Sequence, residues 1–213
     1  MDNPVIILGA GGLGKAALDI FNSIQITVYC FLDDDHKLHG TAINEVSVLG
    51  STENDEFINL IGIKCEAFIA SSDNRYRRNL NGMLMESRKT IPINAIHANA
   101  VISKSARIGH SNFINSGVIL GAASEIGSHC IIHSNAVIDY DVRIGDFVQI
   151  GVGSIINSGA GIGNETFIGS GVTIVSGVTI GKDAKIGAGS VVIADVAENT
   201  TVFGNPAKVI RKK

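Results

Sequence analysis

The chain of 213 residues carries 45% hydrophobic and 17% charged residues, enough apolar content for one large folded core or two small ones. A formal charge of −3 gives no electrostatic basis for nucleic-acid binding, and the basic clusters Arg75-Tyr76-Arg77-Arg78 and Arg211-Lys212-Lys213 are short. No apolar run reaches the roughly 18 residues of a membrane span, Met1-Asp2-Asn3-Pro4 lacks the basic start of a secretory signal, and Cys30, Cys65 and Cys130 suit neither a metal pair nor a disulfide framework, so a cytoplasmic protein without metal is expected.

Val5-Ile6-Ile7-Leu8, then Gly9-Ala10-Gly11-Gly12-Leu13-Gly14, then Lys15 to Phe21 reads as strand, glycine turn and helix, with the glycines of a GxGxxG at 9, 11 and 14. A second strand over Thr27–Leu32 runs into Asp33-Asp34-Asp35, acids placed where a ribose hydroxyl is expected. A third, Ala67-Phe68-Ile69-Ala70, precedes Ser71-Ser72-Asp73-Asn74. This is βαβ organisation, and its glycine turn would offer backbone amides and a helix N-terminus to a phosphate. The GxGxxG alone also fits a tight turn that binds no nucleotide. A nicotinamide site is a further reading, but no residue for hydride transfer accompanies the turn and the domain is half the size a dinucleotide needs.

From Ile96 the chain changes character. Every sixth residue is aliphatic, from Ile96, Ile102 and Ile108 through Ile186 to Val192, seventeen positions without a break. A second row of mostly small residues follows four positions behind, as at Ala106, Val118, Cys130, Ala136 and Val148. A helix repeats its apolar face every 3.6 residues and cannot satisfy a period of six, whereas short strands joined by corners can. Glycine or asparagine at the corners fits turns that need positive φ. Stacked strands then form a β-solenoid of nearly six coils, roughly 27 Å long.

Taken together, Gly9-Ala10-Gly11-Gly12, Phe31-Leu32-Asp33-Asp34, Asn74-Arg75-Tyr76-Arg77, Ile93-Asn94-Ala95-Ile96-His97, the repeat, and Val202-Phe203-Gly204-Asn205-Pro206-Ala207-Lys208 resemble the sialic-acid O-acetyltransferase family, which includes the bacillosamine-pathway UDP-amino-sugar N-acetyltransferases. The resemblance covers essentially the whole chain. It implies a Rossmann-like domain over 1–92 that holds a nucleotide sugar, and a left-handed parallel β-helix over 93–213 that acts as a homotrimer. Acetyl-CoA would lie in a cleft between neighbouring subunits and give its acetyl group directly to an amine or hydroxyl, in surface-glycan biosynthesis.

By the same resemblance Gly9, Gly11, Gly12, Asp33, Asp34, Ser72 and Asn74 fall at the sugar nucleotide. Gln149, Ser158, Ser170, Ala188 and Asn205 fall along acetyl-CoA. The family's catalytic histidine falls at Tyr140, while the acid that orients it is matched by Asp141. Further departures stand at Gln149 and Leu13, both histidine in the family, and at Ser72, a glycine there. Tyrosine, with a reference pKa near 10, is a poor base at neutral pH, so His133, seven residues upstream, is assigned as general base, with Tyr140 relaying a hydrogen bond and Asp141 orienting one of the two. Gln149 keeps an amide that could bind a thioester carbonyl. His110 and His129, at other corners, read as structural. The alternative is a catalytically silent member that binds a nucleotide sugar or a partner enzyme, motivated by the four departures.

Overall fold

The computed structural model describes residues 3–210, so the basic cluster at 211–213 lies outside the described residues. Two compact units divide after Ala98.

In the first unit, β1 (Val5–Leu8), β2 (Val28–Leu32) and β5 (Glu66–Ile69) are parallel, joined by a hairpin of β3 (Ala42–Ile43) and β4 (Val46–Gly50), in the order β3-β4-β2-β1-β5. Helices cover both faces. Phe21 of α1 (Gly12–Ser23) meets Phe68 edge-on at 5.7 Å. On the opposite face Ile6, Leu8, Cys30, Leu32 and Ile69 pack with Ile58 of α2 (Asp55–Ile58), Leu80 of α3 (Asn74–Met83) and Leu84. Burial, with Cys65 nearby, pushes the Cys30 thiol up to about 12, which keeps it unreactive. The hairpin is not foreseen from sequence: its turn, Asn44-Glu45, takes φ of 45° and 71° without the Asn-Gly that usually marks such a turn.

The second unit is a left-handed parallel β-helix of three-sided coils. Residues pair in register with those 18 further on, as Leu120 with Ile138 and Ile126 with Ile144. The first face runs from Val101–Ile102 to Val191–Val192, the second from Arg107–Ile108 to Thr179–Ile180, and the third from Phe113–Ile114 to Thr201–Phe203. The aliphatic row points inward, and Leu120, Ile126, Ile132, Ile138 and Ile150 are among its buried members. The last coil is closed on every face: Val196 accepts from Gly181 and donates to Thr179, Gly204 accepts from Val191, and Lys208–Val209 runs antiparallel to Thr201–Phe203.

The expectation of positive φ at corner glycines and asparagines holds at one place in the corner and not at the other. From Ile108 to Ile186, positive φ falls on the third residue after the inward aliphatic, as at Asn135 (60°), Asp141 (57°), Gly159 (68°) and Gly171 (66°). The glycines directly after the aliphatic residue serve close packing instead: a Cβ on Gly127 would lie 2.6 Å from the Gly145 carbonyl carbon, and one on Gly163 would lie 2.6 Å from the Lys182 nitrogen. Some of the corner carbonyls accept hydrogen bonds from inside the coil, Gly127 from Asn112 Nδ2 at 2.9 Å and Gly181 from Thr166 Oγ1 at 3.0 Å. Gly163→Val should therefore cost about 3 kcal/mol or more. Gly159→Asn, with open space around its Cβ and a φ that asparagine tolerates, should cost under about 1 kcal/mol. Thermal unfolding of the two variants, compared by calorimetry, checks this difference.

Candidate functional site

The C-terminal ends of β1, β2 and β5 meet where the strand order reverses, the place at which an open parallel sheet offers a crevice. A cavity of about 350 Å³ lies there, lined by Gly9, Gly11, Gly12 and Leu13 after β1, Asp33 and Asp34 after β2, and Ala70, Ser71, Ser72 and Tyr76 around the end of β5. Gly9 has φ +116°, and a Cβ there would sit 2.5 Å from the Ala70 carbonyl oxygen. A Cβ on Gly14 would run into the carbonyl of Gly9, so both positions are closed to larger residues. Gly11 and Gly12 have open space before them. Gly11, the N-cap of α1, supplies no side-chain cap, and the first turn carries no acid. In α3 the Oδ1 of Asp73 accepts from the N–H groups of Arg75 at 2.7 Å and Tyr76 at 3.1 Å. Of these two helix starts, α1 is the one left open to an anion.

The paired acids have distinct positions. Asp33 Oδ2 accepts from the Ala10 N–H at 2.7 Å and Oδ1 from the Asp35 N–H at 2.8 Å, so this side chain holds the glycine turn while lining the cavity. Asp34 Oδ1 accepts from the Thr52 N–H and Oγ1 at 2.9 and 2.8 Å, and Oδ2 from the Tyr76 hydroxyl at 2.7 Å. Burial raises the Asp34 carboxyl, but the hydrogen bonds from Tyr76 and Thr52 outweigh it and hold the group below its usual value. Burial and the bond to Asp34 push the Tyr76 hydroxyl up to about 12. Asn74 stands at the start of α3, where its Oδ1 accepts from Arg77. Tyr76 is a cavity residue that sequence reasoning did not single out; the signal was a tyrosine in the first helical turn after a strand that ends at the crevice.

In the solenoid the remaining candidates fall at two corners and on one face. His133, Ser170 and Ala188 lie between the third and first faces. Tyr140, Asp141 and Ser158 lie between the first and second, and Gln149 lies on the third. Asn205 follows the last strand of the third face. His133 precedes and Tyr140 follows the first-face strand Val137–Ile138, so the two stand at the corners that bound that face. The ring of His133 lies edge-on to that of buried Phe113, centroids 6.0 Å apart, and burial lowers its pKa below the ordinary histidine value. Tyr140 is 53% exposed, its N–H donating to Asp139 Oδ1 at 2.8 Å and its carbonyl accepting from Gly159. His129 is buried and stacks on Phe147 at 4.6 Å, as a structural residue would.

The outward residues between the two corners are Val101, Ile119, Val137, Ile155, Thr173 and Val191, an apolar strip in which Val101 is 63% and Ile119 42% exposed. The second face presents Arg107, Glu125, Arg143, Gly161 and Thr179 instead.

A glycine-turn crevice in one unit and a hexapeptide solenoid in the next define a hexapeptide-repeat transferase with an N-terminal α/β domain. The PglD N-terminal domain matches residues 4–84, and the bacterial transferase hexapeptide (six repeats) matches residues 159–194. No curated protein matches the sequence. Among solved structures, a histidine-to-alanine mutant of GDP-perosamine N-acetyltransferase from Caulobacter crescentus, in complex with CoA and GDP-perosamine, is 33% identical with a TM-score of 0.90, over 100% of this chain and 99% of that one. The acetyltransferase domain of PglB from Neisseria gonorrhoeae, in complex with acetyl coenzyme A, is 28% identical with a TM-score of 0.90, over 99% and 100%. WeeI from Acinetobacter baumannii is 25% identical with a TM-score of 0.73, over 97% and 99%. The chain belongs to the bacillosamine-type N-acetyltransferase family of hexapeptide-repeat acyltransferases.

Proposed function

We propose that this protein transfers the acetyl group of acetyl-CoA to an amino or hydroxyl group of a nucleotide-linked sugar, in surface-glycan biosynthesis. The observation that carries this reading is the likeness, over the full chain, to acetyltransferases solved with CoA and GDP-perosamine or with acetyl-CoA bound. The crevice supports it locally: open glycines and the uncapped start of α1 suit a diphosphate, and Asp33 retains lone pairs for sugar or ribose hydroxyls. In this reading residues 1–92 bind the nucleotide sugar and residues 93–213 carry out the transfer. The silent-binder alternative is not favoured, because it rests on substitutions alone.

The working unit is a homotrimer packed through the apolar first face. Corners at opposite ends of that face would then meet across neighbouring protomers, bringing His133 of one copy toward Tyr140 and Asp141 of the next. Gln149, Ser158, Ser170, Ala188 and Asn205 would line the acetyl-CoA arm. The acceptor nitrogen or oxygen attacks the thioester carbonyl carbon while His133 takes its proton. Amide donors such as Gln149 hold the oxyanion, and collapse expels the CoA thiolate, which leaves as the thiol after receiving a proton. Cytoplasmic operation fits the three free buried cysteines, and among the described residues no helix is long and apolar enough to cross a membrane.

Thiol release from acetyl-CoA against UDP-, CMP- and GDP-linked amino and hydroxy sugars tests the reading. Turnover with one class of acceptor is the expected result. CoA binding without turnover across the panel would overturn it.

A further inference from the structure

Among the described residues, Arg77 is the only arginine, lysine, aspartate or glutamate that is buried, at 1% exposure. Burying a guanidinium is costly unless its donors are used in fixed geometry. Nη1 donates to the Ser71 carbonyl at 2.6 Å and Nη2 to Asn74 Oδ1 at 2.5 Å. The first acceptor belongs to the segment between β5 and α3, of which Ala70, Ser71 and Ser72 form one wall of the crevice, and the second is the first residue of α3, which steadies the guanidinium beneath that segment. Helix start is not the reason for the bonds, since Asp73 already caps α3. The adjacent Tyr76 reaches the other way, to Asp34 on the opposite wall. The segment is therefore pinned from beneath by Arg77 and across the cavity by Tyr76, with exposed Ser72 held between them.

We propose that Arg77 is a positioning residue for the nucleotide sugar: it touches no ligand, and its guanidinium fixes the Ser71–Ser72 wall at the spacing that the nucleotide requires. The inference rests on the reading of the crevice as the nucleotide-sugar site. A buried shell that locks the lining residues sets affinity, because sub-ångström looseness at a site is expensive. Its effect should appear in binding of the nucleotide and leave the solenoid's acetyl-CoA untouched.

Calorimetric titration of UDP, GDP and CoA into the full chain tests this in wild type, Arg77→Lys and Arg77→Met. Lysine keeps a donor for Ser71 but loses the fork, so the nucleotide that wild type binds should bind about tenfold more weakly. Methionine should weaken it further, with CoA affinity unchanged in both. In turnover assays KM for the nucleotide sugar should rise while kcat stays near wild type. Variants that melt earlier yet bind the nucleotide as wild type does would reduce Arg77 to a structural role and overturn the proposal, as would a parallel loss of CoA affinity. A wild type that binds neither UDP nor GDP would instead remove the nucleotide reading of the crevice, and the proposal with it.

Discussion

Replacing His133 by alanine is expected to lower turnover by about 10²- to 10³-fold, with acetyl-CoA still bound, because the acceptor loses the group that takes its proton. Burial depresses the histidine's pKa, so the neutral base already predominates at pH 7. Activity should therefore rise with pH through a midpoint below the ordinary histidine value and stay flat above it. In His133→Ala that acidic limb should vanish with the rate. Tyr140→Phe should lose only severalfold, since a relay is replaceable by water where a base is not. A pH–rate profile for the three proteins reads both effects, and a His133→Ala enzyme with a wild-type profile would dismiss the assignment.

Ile119→Asp combined with Ile155→Asp should abolish both assembly and activity. These side chains point out of the coil from the apolar first face, and each is about two-fifths exposed in the single chain. In the proposed trimer, burying each against a neighbour is worth about 1.5–3 kcal/mol per copy, and carboxylates there would set like charges against one another. The inward aliphatic columns are unchanged, so each coil should remain folded. Light scattering on a sizing column should then show a species of 22.3 kDa in place of one three times heavier. A variant that stays trimeric and active would show that another face carries the interface.

The solenoid was legible because its period is strict: the inward aliphatic residue recurs through seventeen positions, and the structure stacks it with a register of 18. Which corner residue takes positive φ was not, since asparagine, aspartate, glycine and phenylalanine all occupy that place at Asn135, Asp141, Gly153 and Phe147. In the first unit the glycine turn and Asp33-Asp34 led to the crevice. The Asn44-Glu45 hairpin was missed for want of a glycine, and Arg77 read only as part of a short basic cluster. A short basic run does not reveal which member turns inward; the register of α3 does, burying Arg77 on the same side as Leu80. The placing of His133 and Tyr140 at two different corners follows from the period of six, but what surrounds each corner, such as Phe113 against His133, emerges only from the coil geometry.

The closed final coil bears on a different property. A parallel β-helix is in principle a polymer, since its terminal coil offers unpaired N–H and C=O groups in the register that another molecule's first coil could extend. Here Val196, Gly204 and the reversed strand Lys208–Val209 occupy those groups on all three faces. A further coil would therefore meet irregular chain and a reversed strand in place of the parallel register it needs, so the C-terminal end is a poor template for axial stacking.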